Sequence, residues 1–316
     1  MSEPLRPRRQ LGKSDLWVSP IGFGCWPIAG VSSLDVTDEA SLQSIHAAID
    51  AGINFFDTAF SYGYNGEADR LLRRALTDRR DEIVLASKVG SHYDRQRTRI
   101  VDGRPAVLIN QAAESLERLA VDRLDLLYLH QPDPQVAIEE SAGAIAEIVR
   151  RGWARYAAVS NVDAVQLARF HAVCPVVAVQ PPFNMLQQES WLAIRDYCGQ
   201  HSIDSVCYWV LMKGLLAGKL QRDHQFDPRD RRLTYPIYQG EQWERSQDFL
   251  DLLRGLAEVS GCTVAQLVLA WTLAQPGICV ALCGAKRPEQ ICETAATMQL
   301  QLEAAIYQQI DQWLMK

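Results

Sequence analysis

Four side chains in this chain are of types that together can move a proton to or from an oxygen: Asp57, Tyr62, Lys88 and His130. Three of them end short apolar runs. Asp57 follows Ile53-Asn54-Phe55-Phe56, Lys88 follows Ile83-Val84-Leu85-Ala86-Ser87, and His130 follows Leu124-Asp125-Leu126-Leu127-Tyr128-Leu129. Tyr62 lies five residues past Asp57, among small, turn-prone residues. A carboxylate buried beside an aromatic run is costly unless a cation pairs with it, and Lys88 is the cation on offer. A phenol, with a pKa of about 10 in water, is a poor acid or base at neutral pH. A neighbouring ammonium is expected to pull that value down. A histidine beside it can donate a hydrogen bond to a substrate oxygen. The set is that of a tyrosine general acid/base for a carbonyl–alcohol couple. Taken singly, Asp57 also reads as a helix cap or ion-pair partner, Tyr62 as a packing residue and His130 as a core histidine. Lys88 is hardest to explain structurally, because lysine is rarely buried unless paired.

The elements that must hold these residues alternate. A small hairpin is predicted over 8–20, with its turn at Gly12-Lys13-Ser14. Apolar runs at 21–24, 54–59, 83–87, 124–129, 154–159, 176–179, 205–210 and 278–282 are each followed by an amphipathic segment. Those segments cover 38–51, 66–77, 105–119, 136–151, 163–173, 188–200, the pair 241–260 and 263–275, and 288–297, and a last helix covers 302–315. Eight strand–helix units predict parallel strands with crossover helices. In about 300 residues they favour a closed (β/α)₈ TIM barrel over an open sheet. The expected architecture is one α/β domain over 1–316, with an N-terminal β-hairpin and extra helices after strand seven and at the C-terminus. Just past the runs come Gly24, Asp57, Lys88, His130, Ser160 with Asn161, Gln180, Tyr208 and Gly284. In a barrel all of these stand at the C-terminal strand ends, where barrel active sites are built.

Composition excludes several classes. The 316 residues are 48% hydrophobic and 22% charged, with a net charge of −6, which suits a globular domain and disfavours a nucleic-acid partner. The run Arg6-Pro7-Arg8-Arg9 reads as a solvated tail. The eight cysteines contain no C-x-x-C pair and read as free thiols in a reducing compartment. Without an apolar signal core or an 18-residue apolar run, a cytoplasmic protein with no membrane contact is expected. Gly22-Phe23-Gly24 lacks the spacing of a dinucleotide fingerprint. The histidines at 46, 92, 171, 201 and 224 show no ligand spacing, so no metal is expected.

The chain resembles the aldo-keto reductase family from about residue 9 to 298. The motifs that carry the resemblance are G-I-N-F-F-D-T-A-F-S-Y-G at 52–63, A-S-K-V-G at 86–90, L-D-L-L-Y-L-H-Q-P-D at 124–133 and V-S-N at 159–161. Q-P-P-F-N-M-L at 180–186, G-L-L-A-G-K at 214–219 and G-A-K-R at 284–287 complete them. The resemblance implies NADP(H)-dependent reduction of an aldehyde or ketone, with Tyr62 as general acid, Asp57 and Lys88 tuning it and His130 orienting the carbonyl. It implies that Ser160, Asn161 and Gln180 hold the nicotinamide carboxamide, that Tyr208 stacks on its ring, and that Asp57 also contacts the ribose. Trp209, Val210 and Leu211 would carry the pyrophosphate on backbone N–H groups, with Lys219 nearby. Lys286 and Arg287 suit a 2′-phosphate. Gln290, Glu293 and Thr294 lie around the adenine. Gly24, Trp26 and Gly284 complete the cofactor-facing set, and Trp26 is also expected in the substrate-pocket wall.

The chain departs from the family at Trp209-Val210-Leu211, where Ser-Pro-Leu is usual. Thr294 stands where asparagine is common, and Phe183 where tyrosine is common. Tyr64, His92 and Trp153 are further aromatic or polar groups near strand ends. The charged loop 221–240, with its Asp230-Arg231 dipeptide, is expected either to fold over the cofactor or to be solvated without a role. Two other readings stay open: a cofactor-binding regulatory barrel, and a Schiff-base lyase using Lys88. The small-molecule carbonyl substrate and the oligomeric state are not legible.

Overall fold

Eight parallel strands close on themselves in the computed structural model, which describes residues 7–315. They are β1 (Ile21–Gly24), β2 (Phe55–Asp57), β3 (Val84–Val89), β4 (Leu124–Leu129), β5 (Ala154–Ser160), β6 (Val176–Gln180), β7 (Asp204–Cys207) and β8 (Ile278–Cys283). Neighbours follow chain order, and β8 returns to β1 with Ala281 beside Ile21. Helices α1 (Asp38–Asp50), α2 (Glu67–Ala75), α3 (Pro105–Leu119), α4 (Ile138–Arg150) and α5 (Ala164–Val173) cross between successive strands, followed by α6 (Glu189–Leu192) and α7 (Arg195–His201). After β7 come α8 (Gly240–Val259) and α9 (Val264–Ala274), and after β8 come α10 (Pro288–Ala295) and α11 (Ala304–Leu314). This is the (β/α)₈ TIM barrel expected from the alternation, with the hairpin and the extra helices in place.

Strand periodicity sorts the core into two layers. Phe55, Ala86, Tyr128, Ala158, Ala178, Val206 and Leu282 fill the barrel interior. Their neighbours Phe56, Leu85, Leu127, Val159, Val179, Cys207 and Ala281 pack outward against the helices. Two residues beyond each inward side chain lie Asp57, Lys88, His130, Ser160, Gln180, Tyr208 and Gly284. The period of two therefore aims every one of them at the barrel mouth. Gly22, two before Gly24, has no room for a Cβ, which would come 2.8 Å from Leu282 Cδ2 and 3.0 Å from Phe55 Cδ1.

The N-terminal hairpin, Arg9–Gln10 with Trp17–Val18, plugs the opposite end with Leu11, Leu16 and Val18. Gly12 is left-handed (φ 51°), and its N–H donates to Asp204 Oδ2 at 2.7 Å. The basic tail is not solvated where it is described, and Arg6 lies outside the described residues. Arg8 Nη1 donates to Gly52 O at 2.8 Å, and Arg9 Nη1 donates to Ile278 O at 2.9 Å. Helix α11 packs on the barrel flank through Phe249 and Trp313, stacked at 4.2 Å, and through Trp271 Nε1–H donating to Asp311 Oδ1 at 2.8 Å. Among the described residues no single helix is long and apolar enough to cross a membrane.

Several boundaries differ from expectation. Lys88, Ser160 and Gln180 lie inside their strands, because ladder pairs Lys88–Tyr128 and Ser160–Gln180 extend β3 to Val89, β5 to Ser160 and β6 to Gln180. Strand β7 stops at Cys207, since Trp209 turns left-handed (φ 62°). The helix expected over 188–200 is broken at Ala193–Ile194. A second hairpin, Ser91–Tyr93 with Arg99–Val101, rises from the end of β3. Trp153 precedes β5 and so lies at the N-terminal end, away from the mouth.

Candidate active site

At the C-terminal mouth the backbone and the charges assemble one constellation. Asp57 and Lys88, each 1% exposed, form an ion pair between Lys88 Nζ and Asp57 Oδ1. The ammonium also donates to Thr58 O at 3.0 Å and to Tyr62 Oη at 3.4 Å. Gln180 Nε2 donates to the other Asp57 oxygen at 2.9 Å. Every polar atom of the pair is thus met, as so buried a pair requires. His130, with its backbone N–H on Val89 O at 2.8 Å, places its ring edge-on to Tyr62 with centroids 6.1 Å apart. Ser61 Oγ lies 3.5 Å from His130 Nδ1. Trp26 meets Tyr62 edge-on, with ring centroids 5.2 Å apart.

The electrostatics correct one expectation. Lys88 was expected to lower the Tyr62 pKa. Instead burial raises it well above its ordinary value, and the Asp57 charge adds to that rise. The ring is partly open to the mouth while the hydroxyl end lies deep among protein atoms. The Lys88 charge is already matched by Asp57, so desolvation wins. His130 is held well below its ordinary value by burial first, then by Lys88 and Arg99. The phenol therefore keeps its proton at neutral pH while the imidazole is neutral.

Beside this cluster runs a chain of amide and hydroxyl groups. Ser160 Oγ donates to Gln180 O at 2.8 Å. Asn161, left-handed at φ 59°, donates from Nδ2 to His130 O at 2.9 Å and to Ser160 Oγ at 3.0 Å. Tyr208 Oη donates to Asn161 Oδ1 at 2.8 Å, fixing the tyrosine ring at the mouth. Past it the chain turns sharply, with Trp209, Met212, Lys213 and Gly214 all at positive φ. Among the described residues the N–H groups of Val210 and Leu211 have no protein acceptor. They leave a pair of open backbone donors where proline is absent.

Farther out, Lys219 Nζ pairs with Glu293 Oε2 at 2.6 Å. Lys286 donates its N–H to Gln290 Oε1 at 2.9 Å and its ammonium to Leu34 O at 3.3 Å. Arg287 stands at the N-cap position of α10 without a side-chain cap bond, and pairs with no carboxylate among the described residues. Thr294 Oγ1 turns back onto its own helix at Ile291 O, so its hydroxyl is occupied. Gly24 and Gly284 meet at the β1–β8 seam, where a Cβ on Gly284 would come 2.4 Å from Pro27 Cγ. Gly284 is thus needed for packing.

The loop 221–240 folds onto the end of β7. Tyr238 Oη donates to Met212 O at 2.7 Å, and Tyr235 meets Trp209 edge-on at 6.0 Å. Asp230 pairs with Arg232.

Three groups at the mouth were not foreseen. Asp69, on α2, is fully buried and accepts from Thr58 Oγ1 at 2.7 Å, while its other oxygen has no partner. Burial pushes it up to about 7. Its signal was an acid at i−3 to Leu72, on the apolar face of an amphipathic helix. Tyr93 and Arg99, on the second hairpin, had only a three-residue alternation to mark them. His92, by contrast, points to α3, with Gln111 Nε2 3.4 Å from its Nδ1. Among the described residues no cluster of three His, Cys, Asp or Glu is placed to hold a metal.

Comparison with known proteins follows the same lines. A sequence profile of the Aldo/keto reductase family matches residues 20–314. The chain is 33% identical to the aldo-keto reductase YhdN of Bacillus subtilis over 276 residues, 86% of this chain and 83% of that protein. It is 30% identical to the aldo-keto reductase yakc [NADP(+)] of Schizosaccharomyces pombe, over 96% of this chain and 90% of that protein. Its structure matches that of a glycerol dehydrogenase from Gluconobacter oxydans with a TM-score of 0.91 at 30% identity, covering 98% of this chain and 96% of the other.

Proposed function

Because the chain belongs to the aldo/keto reductase family of oxidoreductases, we propose that it is a single-domain NADPH-dependent reductase of aldehydes or ketones, with Tyr62 as its general acid. The observation that carries this reading is the buried Asp57–Lys88 pair with a protonated phenol 3.4 Å from the ammonium and a neutral imidazole beside it. The carbonyl oxygen binds between Tyr62 Oη and His130. Ser61 Oγ lies 3.5 Å from His130 Nδ1; in the tautomer with the proton on Nε2, Nδ1 accepts from that hydroxyl and Nε2–H donates to the carbonyl oxygen. As the oxygen becomes an alkoxide, Tyr62 gives it the phenolic proton. Lys88 then faces a nascent phenolate, and Asp57 keeps the ammonium charged in a dry pocket. Trp26 and Tyr208 wall off water.

The residues present fit a nicotinamide cofactor. Ser160, Asn161 and Gln180 offer amide and hydroxyl groups to a carboxamide, Tyr208 offers an aromatic face, and the Val210 and Leu211 N–H groups are free for a pyrophosphate. Lys219, Lys286 and Arg287, with Gln290, Glu293 and Thr294, would receive the adenosine end. The unpaired Arg287 guanidinium suits a 2′-phosphate. When bound, the reduced cofactor supplies the hydride to the carbonyl carbon. A Lys88 Schiff base is disfavoured, because its nitrogen is held by three oxygen acceptors and is 1% exposed.

NADPH oxidation with a panel of aldehydes, ketoses and α-dicarbonyls tests this reading. Wild type turns over at least one class, and Tyr62→Phe loses about 10²- to 10⁴-fold in kcat while still binding NADPH. Wild-type rates in the variant would overturn the assignment of Tyr62.

A further inference from the structure

The hairpin that rises from β3 has two faces, and they do different work. In an antiparallel ribbon, paired residues share a face and successive residues alternate. Here Ser91 pairs with Val101, His92 with Ile100, and Tyr93 with Arg99. His92 is turned to α3 through Gln111. The opposite face, carrying Ser91, Tyr93 and Arg99, is therefore turned to the barrel mouth. The Tyr93 ring confirms the direction, meeting Tyr64 edge-on at 5.0 Å, two residues from Tyr62. Arg99 is anchored on the same face. Its Nε–H donates to Ser91 Oγ at 2.8 Å, and Ser91 is buried three residues beyond Lys88.

That anchor uses one of the five guanidinium donors. Among the described residues no carboxylate pairs with Arg99, whereas Asp102 is taken by Arg104 and Asp230 by Arg232. Its charge is felt at Tyr62, His130, Tyr208 and Tyr93. Three of the four, Tyr62, His130 and Tyr208, follow the strand ends at the mouth, and Tyr93 stands on the hairpin beside them. Arg97 lies 4.6 Å over the Tyr64 ring on the same hairpin, and the charge of Arg231 reaches Tyr93 from the loop after β7. A chain with a net charge of −6 thus places Arg97, Arg99 and Arg231 beside the mouth that holds its candidate acid. A neutral aldehyde gives that concentration nothing to bind.

Resting on the carbonyl-reductase reading above, we propose that Arg99 is a specificity residue that binds an anionic group, carboxylate or phosphate, on the carbonyl substrate. A planar fork whose terminal Nη1/Nη2 edge is free suits either oxyanion. The test compares each anionic aldehyde with a neutral counterpart: 4-oxobutanoate with its methyl ester, and glyceraldehyde 3-phosphate with glyceraldehyde. Wild type favours at least one anionic member in kcat/KM, and whichever pair shows the larger ratio tells carboxylate from phosphate. In Arg99→Met that ratio falls about 10- to 100-fold, mainly through KM, as loss of a charge-assisted bidentate contact dictates. Arg99→Lys restores part of it, and added salt lowers the wild-type ratio. Equal losses on both members of a pair, or no anionic preference in wild type while the neutral aldehydes turn over, would overturn the role of Arg99 and leave the reductase reading standing. If neither member of either pair is reduced while a ketose or α-dicarbonyl turns over, the inference falls and the reductase reading stands; if no carbonyl is reduced at all, both fall.

Discussion

Two carboxylates at opposite ends of the same barrel have opposite fates. Asp125, near the start of β4, accepts from Arg80 at 2.9 Å, from Arg155 at 3.0 Å and from the Leu85 N–H at 2.9 Å. Arg155 goes on to Asp15, tying the plugging hairpin to the barrel. A cleft of about 450 Å³ lies over this end, and within it Asp125, Arg80 and Arg155 answer one another. Asp57, at the end of β2, is also fully bonded, but through a cation that reaches past it to a phenol. The first arrangement closes on itself and holds structure. The second ends in Tyr62 and His130, whose remaining hydrogen-bonding capacity faces the mouth. A buried ion pair is poor support for stability and a good support for a reactive neighbour.

Lys88→Met breaks the contrast most sharply. It leaves Asp57 buried and unpaired, and denaturant titration should show a loss of about 3–5 kcal/mol. Carbonyl reduction should fall by at least about 100-fold. Asp69→Asn comes next. In the folded chain Asp69 keeps its proton up to about pH 7, against an ordinary value of 3.8. The folded state thus binds the extra proton between those values, and the stabilisation is complete below about pH 4 and lost as pH rises through 7. Asparagine keeps the acceptor for Thr58 and does not ionise. The variant should gain on wild type as pH rises from 4 to 8, by at most about 4 kcal/mol. Parallel stability curves would place Asp69 outside this linkage.

Asp125→Asn, the matched change at the closed end, should cost about 1–3 kcal/mol of stability and alter kcat by less than about twofold, because nothing at that end touches the mouth. A large fall in kcat with normal folding would erase the distinction between the two ends. The smallest effect is expected from Lys286→Ala with Arg287→Ala, which should weaken NADPH about tenfold by fluorescence titration and NADH far less. Equal weakening would mean that the 2′-phosphate is read elsewhere.

The barrel and the strand-end residues were legible because both depend on order along the chain. Apolar runs of strand length recur eight times, and a residue two past an inward Phe55, Ala86 or Tyr128 must point the same way. What escaped prediction lacks such a repeat. The Ser91–Tyr93 and Arg99–Val101 strands are three residues each, and Asp94-Arg95-Gln96-Arg97 between them reads as plain loop. The break at Ala193–Ile194 carries no glycine or proline to announce it. Trp209 enters a left-handed turn that its residue type disfavours. Arg8 and Arg9 looked like a solvated tail because the carbonyls they reach, on Gly52 and Ile278, are distant in sequence.

The chain by itself determined which side chains share the barrel mouth, because alternation along a strand is a local property of the backbone. Only the tertiary structure decided how those groups are charged. The sign of the shift on Tyr62 depends on the depth of its hydroxyl and on Asp57 already matching Lys88. Those are distances and desolvation among residues brought together from β2, β3, β4 and β6, and they do not exist until the barrel closes.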